Sequence, residues 1–350
     1  MSWIEKHIDE ITQAAQNWLR SDNQSLKKAI DKTVEENLFS FEDIKHQILV
    51  LKENVEAGQI KEWTKRSGLS EEKNAKGKKV LCLHAGNLPL VGFQTTLGTI
   101  LSGADYYGKL SRKDPYMLAS FLEEVKNSGL DLHAEYSTDL NQFKNLKADK
   151  VAFAGSTESV QKVREEIKRL KAAKADADYI IRTAKFSIAY IEDQSSETME
   201  DLVEAAFRYG GKGCRSVALV VTKFPLDSTK CGFTDYIEFF WMKNPQHKKP
   251  KPNLKYQFAY NKAIGRSQAW LDDFLIQETD EFPETDFTLN WVMGDEKKVR
   301  ELKEKFGDVI QAVYTTKKIE GIKTDLLSQA QRPPLWWKPD GVDTIISMLD

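Results

Sequence analysis

The sequence predicts an α/β fold, with a helical N-terminal segment followed by two units in which strands and helices alternate. Three observations predict it. Apolar residues at helical spacing run through the first segment. From Val80 onward, short apolar runs of strand length alternate with charged helical stretches. The chain has 350 residues, 41% hydrophobic and 30% charged. That composition suits a soluble protein whose core fills roughly two to three domain-sized units.

Ile4, Ile8, Ile11, Ala15 and Trp18 mark one face of a first helix. Ser40 suits an N-cap, and Ile44, Ile48, Leu51 and Val55 mark a second helix ending near Gly58. TKRSGLSEEKNAKGKK (Thr64 to Lys79) reads as a linker or exposed loop. VLCLHAGN is then a strand ending in Gly-Asn. Pro89 suits the first turn of the next helix and Gly103 its C′ position. ADYYGKLS is a second strand, Asp114-Pro115 caps a helix reaching about Lys126, DLHAEYS is a third strand, and KVAFAGST a fourth. ESVQKVREEIKRLKAAKA reads as one long charged helix. TAKFSIAYI is a strand, and TMEDLVEAAFRYG a helix with Leu202, Ala205, Ala206 and Tyr209 inward. After the run RYGGKGCRSVALVV, a second αβ rhythm follows: FTLNWVMGD, EKKVRELKEKFG, DVIQAVYTT. The C-terminal RPPLWWKPDGVDTIISMLD is rich in aromatics and prolines.

Charge and composition exclude several classes. A net charge of -2 gives no basic field for nucleic acid, and the run HKKPKPNLK reads as a solvated loop. No apolar run approaches the ~20 residues of a membrane span, and the amphipathic N-terminus has no signal-peptide core, so a cytoplasmic protein is expected. The 3 cysteines form no CxxC pair and the 5 histidines are scattered, so neither a disulfide framework nor a metal site is expected.

Four stretches carry possible chemistry. Cys214 follows Gly210, Gly211 and Gly213 and is flanked by Lys212 and Arg215. Cationic neighbours and close backbone favour a thiolate nucleophile; a structural cysteine beside a tight turn fits the same residues. Cys82 lies in an apolar strand and Cys231 in a polar loop. HAGNLP presents Asn87 where a strand ends, either as a helix N-cap or as an N–H donor to a developing oxyanion. GKLSRKDP sets Lys109, Ser111, Arg112 and Lys113 after a strand, as a solvated basic loop or as a phosphate or ribose pocket. No acidic residue at that strand end is available for a free ribose 2′-OH, and Arg112 and Lys113 suit a 2′-phosphate. AFAGSTESV sets Gly155 and Ser156 before a helix, where a pyrophosphate can bind.

The order GNLP, strand-end lysine, FAGST, GGKGC resembles the aldehyde dehydrogenase superfamily. It is most similar to the acyl-CoA reductase branch typified by the fatty-acyl reductase of bacterial luminescence (LuxC-like). HAGNLPLVG, FAGSTESV and the Asp-Gly of WWKPDGVDTIISML carry the likeness, from about Val80 to the C-terminus. The resemblance implies an aldehyde-dehydrogenase-like fold with a Rossmann-type cofactor domain and a second αβ catalytic domain. The expected boundaries are a helical segment at 1–75, a dinucleotide-binding domain at 76–195, a catalytic domain at 196–325 and a tail at 326–350. It also implies roles: Cys214 as the acylated nucleophile, Asn87 at the oxyanion, Lys109 at the adenosine ribose, Gly155 and Ser156 at the pyrophosphate.

Departures from the superfamily set a direction. In register, Ile181 stands where hydrolytic aldehyde dehydrogenases have the glutamate that activates water. A thioester without that base is spared for hydride, which favours NADPH-dependent reduction (NADH possible) of an acyl-CoA or acyl-carrier thioester to an aldehyde. Lys338-Pro339 stands where the luminescence branch has histidine. Two other readings fit the fold: an aldehyde dehydrogenase with Glu278 or Glu281 as base near Cys214, and an acyl-carrying subunit that needs a partner. A homo-oligomer or a partner enzyme is compatible with each.

Overall fold

The computed structural model describes residues 2–56, 58–130, 132–245, 252–271, 274–283 and 286–349. It divides into two compact units, 1–183 with 334–350 and 184–333.

The first unit opens with four helices: α1 (Trp3–Trp18), α2 (Gln24–Glu35), α3 (Phe41–Glu56) and α4 (Gln59–Arg66). Ser2 and Glu5 form a capping box on α1, which satisfies two otherwise orphaned N–H groups. The helices share one apolar core with the sheet behind them. Trp18 stacks on Phe93 at 5.6 Å, and its indole N–H donates to Ser120 Oγ at 2.9 Å. The sequence reading missed α2 and α4, whose apolar faces are short and interrupted by charge. Residues 67–78 are also no free linker. Ala75 is buried, its N–H donates to the Ser102 carbonyl at 2.7 Å, and Glu71 accepts the Ile4 N–H at 2.9 Å.

Then β1 (Lys79–Leu83), α5 (Phe93–Leu101), β2 (Asp105–Lys109), α6 (Met117–Asn127), β3 (Ala134–Ser137), β4 (Ala148–Ala154), α7 (Ser159–Leu170) and β5 (Ala173–Arg182) follow. The sheet is wholly parallel, ordered β3-β2-β1-β4-β5. Its buried strands are apolar on both faces, as parallel strands covered by helices must be. Two expectations are corrected here. The long charged helix stops at Leu170, where Lys171 turns left-handed (φ 51°), and the chain returns as strand β5. Helix α5 begins at Phe93, not at Pro89, because Leu90 is left-handed (φ 56°) and interrupts the helical path. Gly103, at φ 84°, is the C′ residue the sequence indicated.

The second unit holds β6 (Phe186–Ile191), α8 (Ser196–Phe207), β7 (Val217–Thr222), α9 (Leu226–Lys243), α10 (Asn253–Ala263), β8 (Gln268–Leu271), β9 (Phe274–Glu278), β10 (Thr288–Met293), α11 (Glu296–Phe306), β11 (Ile310–Thr315) and β12 (Asp325–Leu326). Its sheet runs β12-β11-β6-β7-β10-β9-β8, parallel except for the β8–β9 pair. Leu202, Ala205 and Ala206 face inward as expected. Strand β6 pairs with β7 and β11, so this unit starts before the expected residue 196. Cys231 lies in α9, not in a loop. The basic run falls partly outside the described residues; its last part opens α10.

The tail returns to the first unit as α12 (Thr344–Leu349). Ile345 and Met348 enter the first core, and two lysines hold the carbonyl end of the helix. Lys150, only 4% exposed, donates to the Ser347 carbonyl at 2.5 Å, and Lys78 to that of Leu349 at 2.9 Å. Cations at a helix C-terminus complement its unpaired carbonyls.

Candidate active site

In the first unit the chain runs outward from β1 to β2 and β3, then crosses back to β4 and β5. The order reverses between β1 and β4, and in such sheets ligands bind beyond the carboxyl ends of the strands at that reversal. The sequence-selected residues lie there. Asn87 sits in the loop after β1, Lys109 ends β2 with Ser111 and Arg112 just beyond, and Gly155 and Ser156 follow β4. Asn87, Arg112 and Ser156 are exposed; Lys109, Ser111 and Gly155 are half-buried.

The Asn87 loop is held from below. His84 Nε2 lies 2.8 Å from the Tyr106 hydroxyl, which is 3.1 Å from Thr96 Oγ1. Burial, with Lys109 adding to it, pushes the His84 imidazole down to about 3, so it is neutral. Its ring fills the space beside Gly92, where a Cβ would stand 2.3 Å from Nδ1. Gly86 presses on the next loop, where a Cβ would meet Ser111 Oγ at 2.3 Å. Asn87 is not an N-cap: α5 starts six positions later, after Gly92.

Burial and the charge of Arg112 hold Lys109 below the usual lysine range, and Asp139 partly offsets them. A half-buried cation beside another cation is relieved by an anion. The donor set of Lys109, Ser111 and Arg112 therefore fits a phosphate-bearing dinucleotide. After β4, the Gly155 N–H donates to the Arg182 carbonyl at 3.1 Å, and the Ser156 and Ser159 hydroxyls are 3.1 Å apart at the start of α7. Ile181 lies in β5 opposite Phe153 and packs in an apolar cluster with it.

In the second unit, Cys214 lies in a tight turn just before β7, at the amino edge of the sheet. Tyr209, Gly210, Gly211 and Gly213 have positive φ (59°, 70°, 71° and 100°). A Cβ on Gly210 would stand 2.8 Å from the Phe287 ring, so close approach and backbone conformation both require glycine. The Cys214 carbonyl accepts from Ser187 Oγ at 2.8 Å, and Ser216 Oγ donates to the Lys212 carbonyl at 2.6 Å. Lys212 lies over the Phe287 ring at 5.4 Å, and Cys214 itself is half-buried. Sequence reasoning missed Ser187: it is 27 residues away, and only the β6–β7 pairing brings it to the turn.

One of the two alternative bases is placed by the strand register. Glu278 ends β9, which runs parallel to β10 and β7, so it sits toward the opposite edge of the sheet from Cys214. Glu281 is exposed and pairs with Arg266 at 3.3 Å. Cys82 is buried in β1, and its thiol is pushed up to about 12 by burial, which rules it out as a thiolate. Among the described residues no group of His, Cys, Asp and Glu could hold a metal ion, and no helix is long and apolar enough to cross a membrane.

Comparison with known structures shows the same fold at low identity. Succinic semialdehyde dehydrogenase from Streptococcus pyogenes, solved with NADP+, superposes with a TM-score of 0.64 at 12% identity, over 93% of this chain and 81% of that one. An indole-3-acetaldehyde dehydrogenase solved with NAD+ gives 0.58 at 12% identity, over 94% and 79%. A bifunctional proline utilization A protein gives 0.54 at 15% identity, over 89% of this chain; the chain spans only 38% of that larger protein. No curated protein sequence matches the chain. The model of one family, acyl-CoA reductase (LuxC), matches residues 4–313. The fold is that of the aldehyde dehydrogenases, and the chain belongs to the LuxC family of acyl-CoA reductases, which are aldehyde-forming oxidoreductases.

Proposed function

We propose that this protein reduces an acyl thioester, a fatty acyl-CoA or acyl-carrier thioester, to an aldehyde with NADPH, through an acyl group carried on Cys214. The observation that carries the reading is the turn that holds Cys214. Positive-φ glycines build it, Ser187 anchors it, and it lies in a chain that matches the reductase family over 4–313. The Cys214 thiolate attacks the thioester carbonyl carbon, and the carbonyl electrons move to oxygen. The Asn87 amide and the Cys214 N–H donate to that oxyanion; one such donor is worth about 3 kcal/mol. The oxyanion collapses, the carrier thiolate leaves and takes up a proton, and the acyl group remains as a thioester on Cys214.

Lys109, Ser111, Arg112, Gly155 and Ser156 hold the dinucleotide. A reduced nicotinamide, when bound, supplies the hydride that the acyl carbon needs to reach the aldehyde level. Cys214 then leaves as the thiolate, ready for the next acyl group. Ile181 leaves no carboxylate at the hydrolytic position, so water is not activated there. Cys214→Ala should abolish covalent labelling by a radiolabelled acyl-CoA, read as acyl mass on the 214 peptide. Labelling that persists in the variant would sink the assignment.

A further inference from the structure

Leu90 is buried and left-handed (φ 56°), a conformation that a branched apolar residue takes only when its surroundings force it. Its N–H donates to Asp114 Oδ2 at 2.8 Å. Asp114 is 5% exposed, and its Oδ1 is buried without a partner among the described residues. Burial raises the carboxyl to about 6, and the Leu90 N–H that donates to it favours its charged form. Asp114 thus ties the segment before α6 to the loop after β1. Two further contacts join the same loops: Gly86 packs on Ser111 and, more loosely, on Lys113 Cβ, where a Cβ would meet these side chains at 2.3 and 3.1 Å.

Asn87 stands between those contacts, after Gly86 and before Leu90. The conformation of that loop sets where the Asn87 backbone stands, and Leu90 is its strained point. Helix capping does not explain an aspartate here: contrary to the sequence expectation, the N-cap of α6 is Tyr116, with no side-chain cap bond, whereas the Asp114 carboxylate accepts from a residue 24 positions earlier.

We propose that Asp114 is a positioning residue for acyl transfer: through the Leu90 N–H it holds the left-handed turn that aims Asn87, and it locks that loop to the Lys109–Lys113 segment. The inference rests on the reading of Asn87 as oxyanion donor. It assigns Asp114 no contact with substrate.

The test uses the full chain. Asp114→Ala removes the acceptor, and Asp114→Asn keeps an oxygen for the Leu90 N–H without the charge. Asp114→Glu keeps the charge but displaces the oxygens by one methylene. Two quantities are read: the rate of Cys214 acylation by an acyl-CoA, and hydrogen exchange of the 88–93 amides by mass spectrometry. A misplaced donor predicts acylation about 10- to 100-fold slower in Asp114→Ala. Exchange at 88–93 should accelerate by at least about 10-fold as the loop opens locally. Asp114→Asn should stay within about 3-fold of wild type in both, since a neutral hydrogen bond replaces a charge-assisted one. Asp114→Glu should behave like Asp114→Ala, and it carries the test if the alanine variant does not fold. Unchanged exchange in Asp114→Ala, or equal impairment of the Asn and Ala variants, would overturn the clamp. Wild-type protein that is never acylated on Cys214 would instead overturn the functional reading, and the exchange data would still decide the clamp.

Discussion

Asn87 and Arg112 are both exposed at the carboxyl edge of the first sheet, and each makes a separable prediction. In the proposed mechanism Asn87→Ala removes one oxyanion donor. Acylation of Cys214 should slow by about 10²- to 10³-fold, in proportion to a single lost donor, with NADPH binding unchanged. Stopped-flow acylation and cofactor fluorescence titration measure the two quantities. Arg112→Ala should raise the dissociation constant for NADPH by about 10-fold or more while leaving NADH within about 2-fold, because in the proposed function only NADPH brings a 2′-phosphate for the guanidinium. Equal losses for both nucleotides would remove the 2′-phosphate reading. The sequence exposed these residues because their chemistry is local: amide, lysine, hydroxyl and guanidinium at strand ends. Ser187 and the Leu90–Asp114 pair escaped it, since each acts through a contact across 24 or more positions.

At the scale of the element, the loop between β1 and α5 is shaped by what lies under it. The His84 ring is pinned to the Tyr106 hydroxyl at 2.8 Å and cannot easily yield to a side chain at Gly92. Gly92→Ala should therefore cost about 1–3 kcal/mol as an overpacked core site, although the backbone at 92 (φ -81°) accepts any residue. Urea unfolding of wild type and variant checks this, and an unchanged midpoint would show that the histidine swings clear. Elements whose signals are periodic, such as α1, β4, α8 and β7, were legible. Strand β5 was not. AKADADYIIR carries alanine and charge in a pattern that suits a helix, and only pairing with β4 draws it into the sheet. Helix α5 was misplaced at its start for a related reason: Pro89 has the right φ for a helix, but Leu90 beside it is held out of one by Asp114.

For the whole molecule, buried titratable groups set the response to acid. The His84 imidazole is held down to about 3 by burial, against an ordinary value of 6.5. The unfolded chain then binds a proton below pH 6.5 that the folded one refuses. His84 contributes stability above that pH, and the contribution is lost as pH falls from about 6.5 toward 3. The loss by pH 4 is on the order of 3 kcal/mol. Asp114, raised to about 6, acts oppositely: its contribution is present at low pH and lost as pH rises through the window up to 6. The comparison that isolates the histidine is wild type against His84→Gln. Their difference in unfolding free energy should change with pH below 6.5, and a constant difference would show that the imidazole is protonated in the fold.

By itself the sequence determined the α/β class, the order of most elements and a set of candidate residues for the chemistry. Periodicity, glycine placement and residue type are properties of neighbours along the chain. Only the tertiary structure decided which edges of the sheets those residues occupy. The strand order 3-2-1-4-5 brings the ends of β1, β2 and β4 side by side, which places Asn87, Lys109 and Gly155 at one edge. In the second sheet, parallel pairing puts Cys214 at the amino edge and Glu278 toward the other. Strand order and register come from burying apolar faces against partners far along the chain, and that free energy is a property of the packed whole.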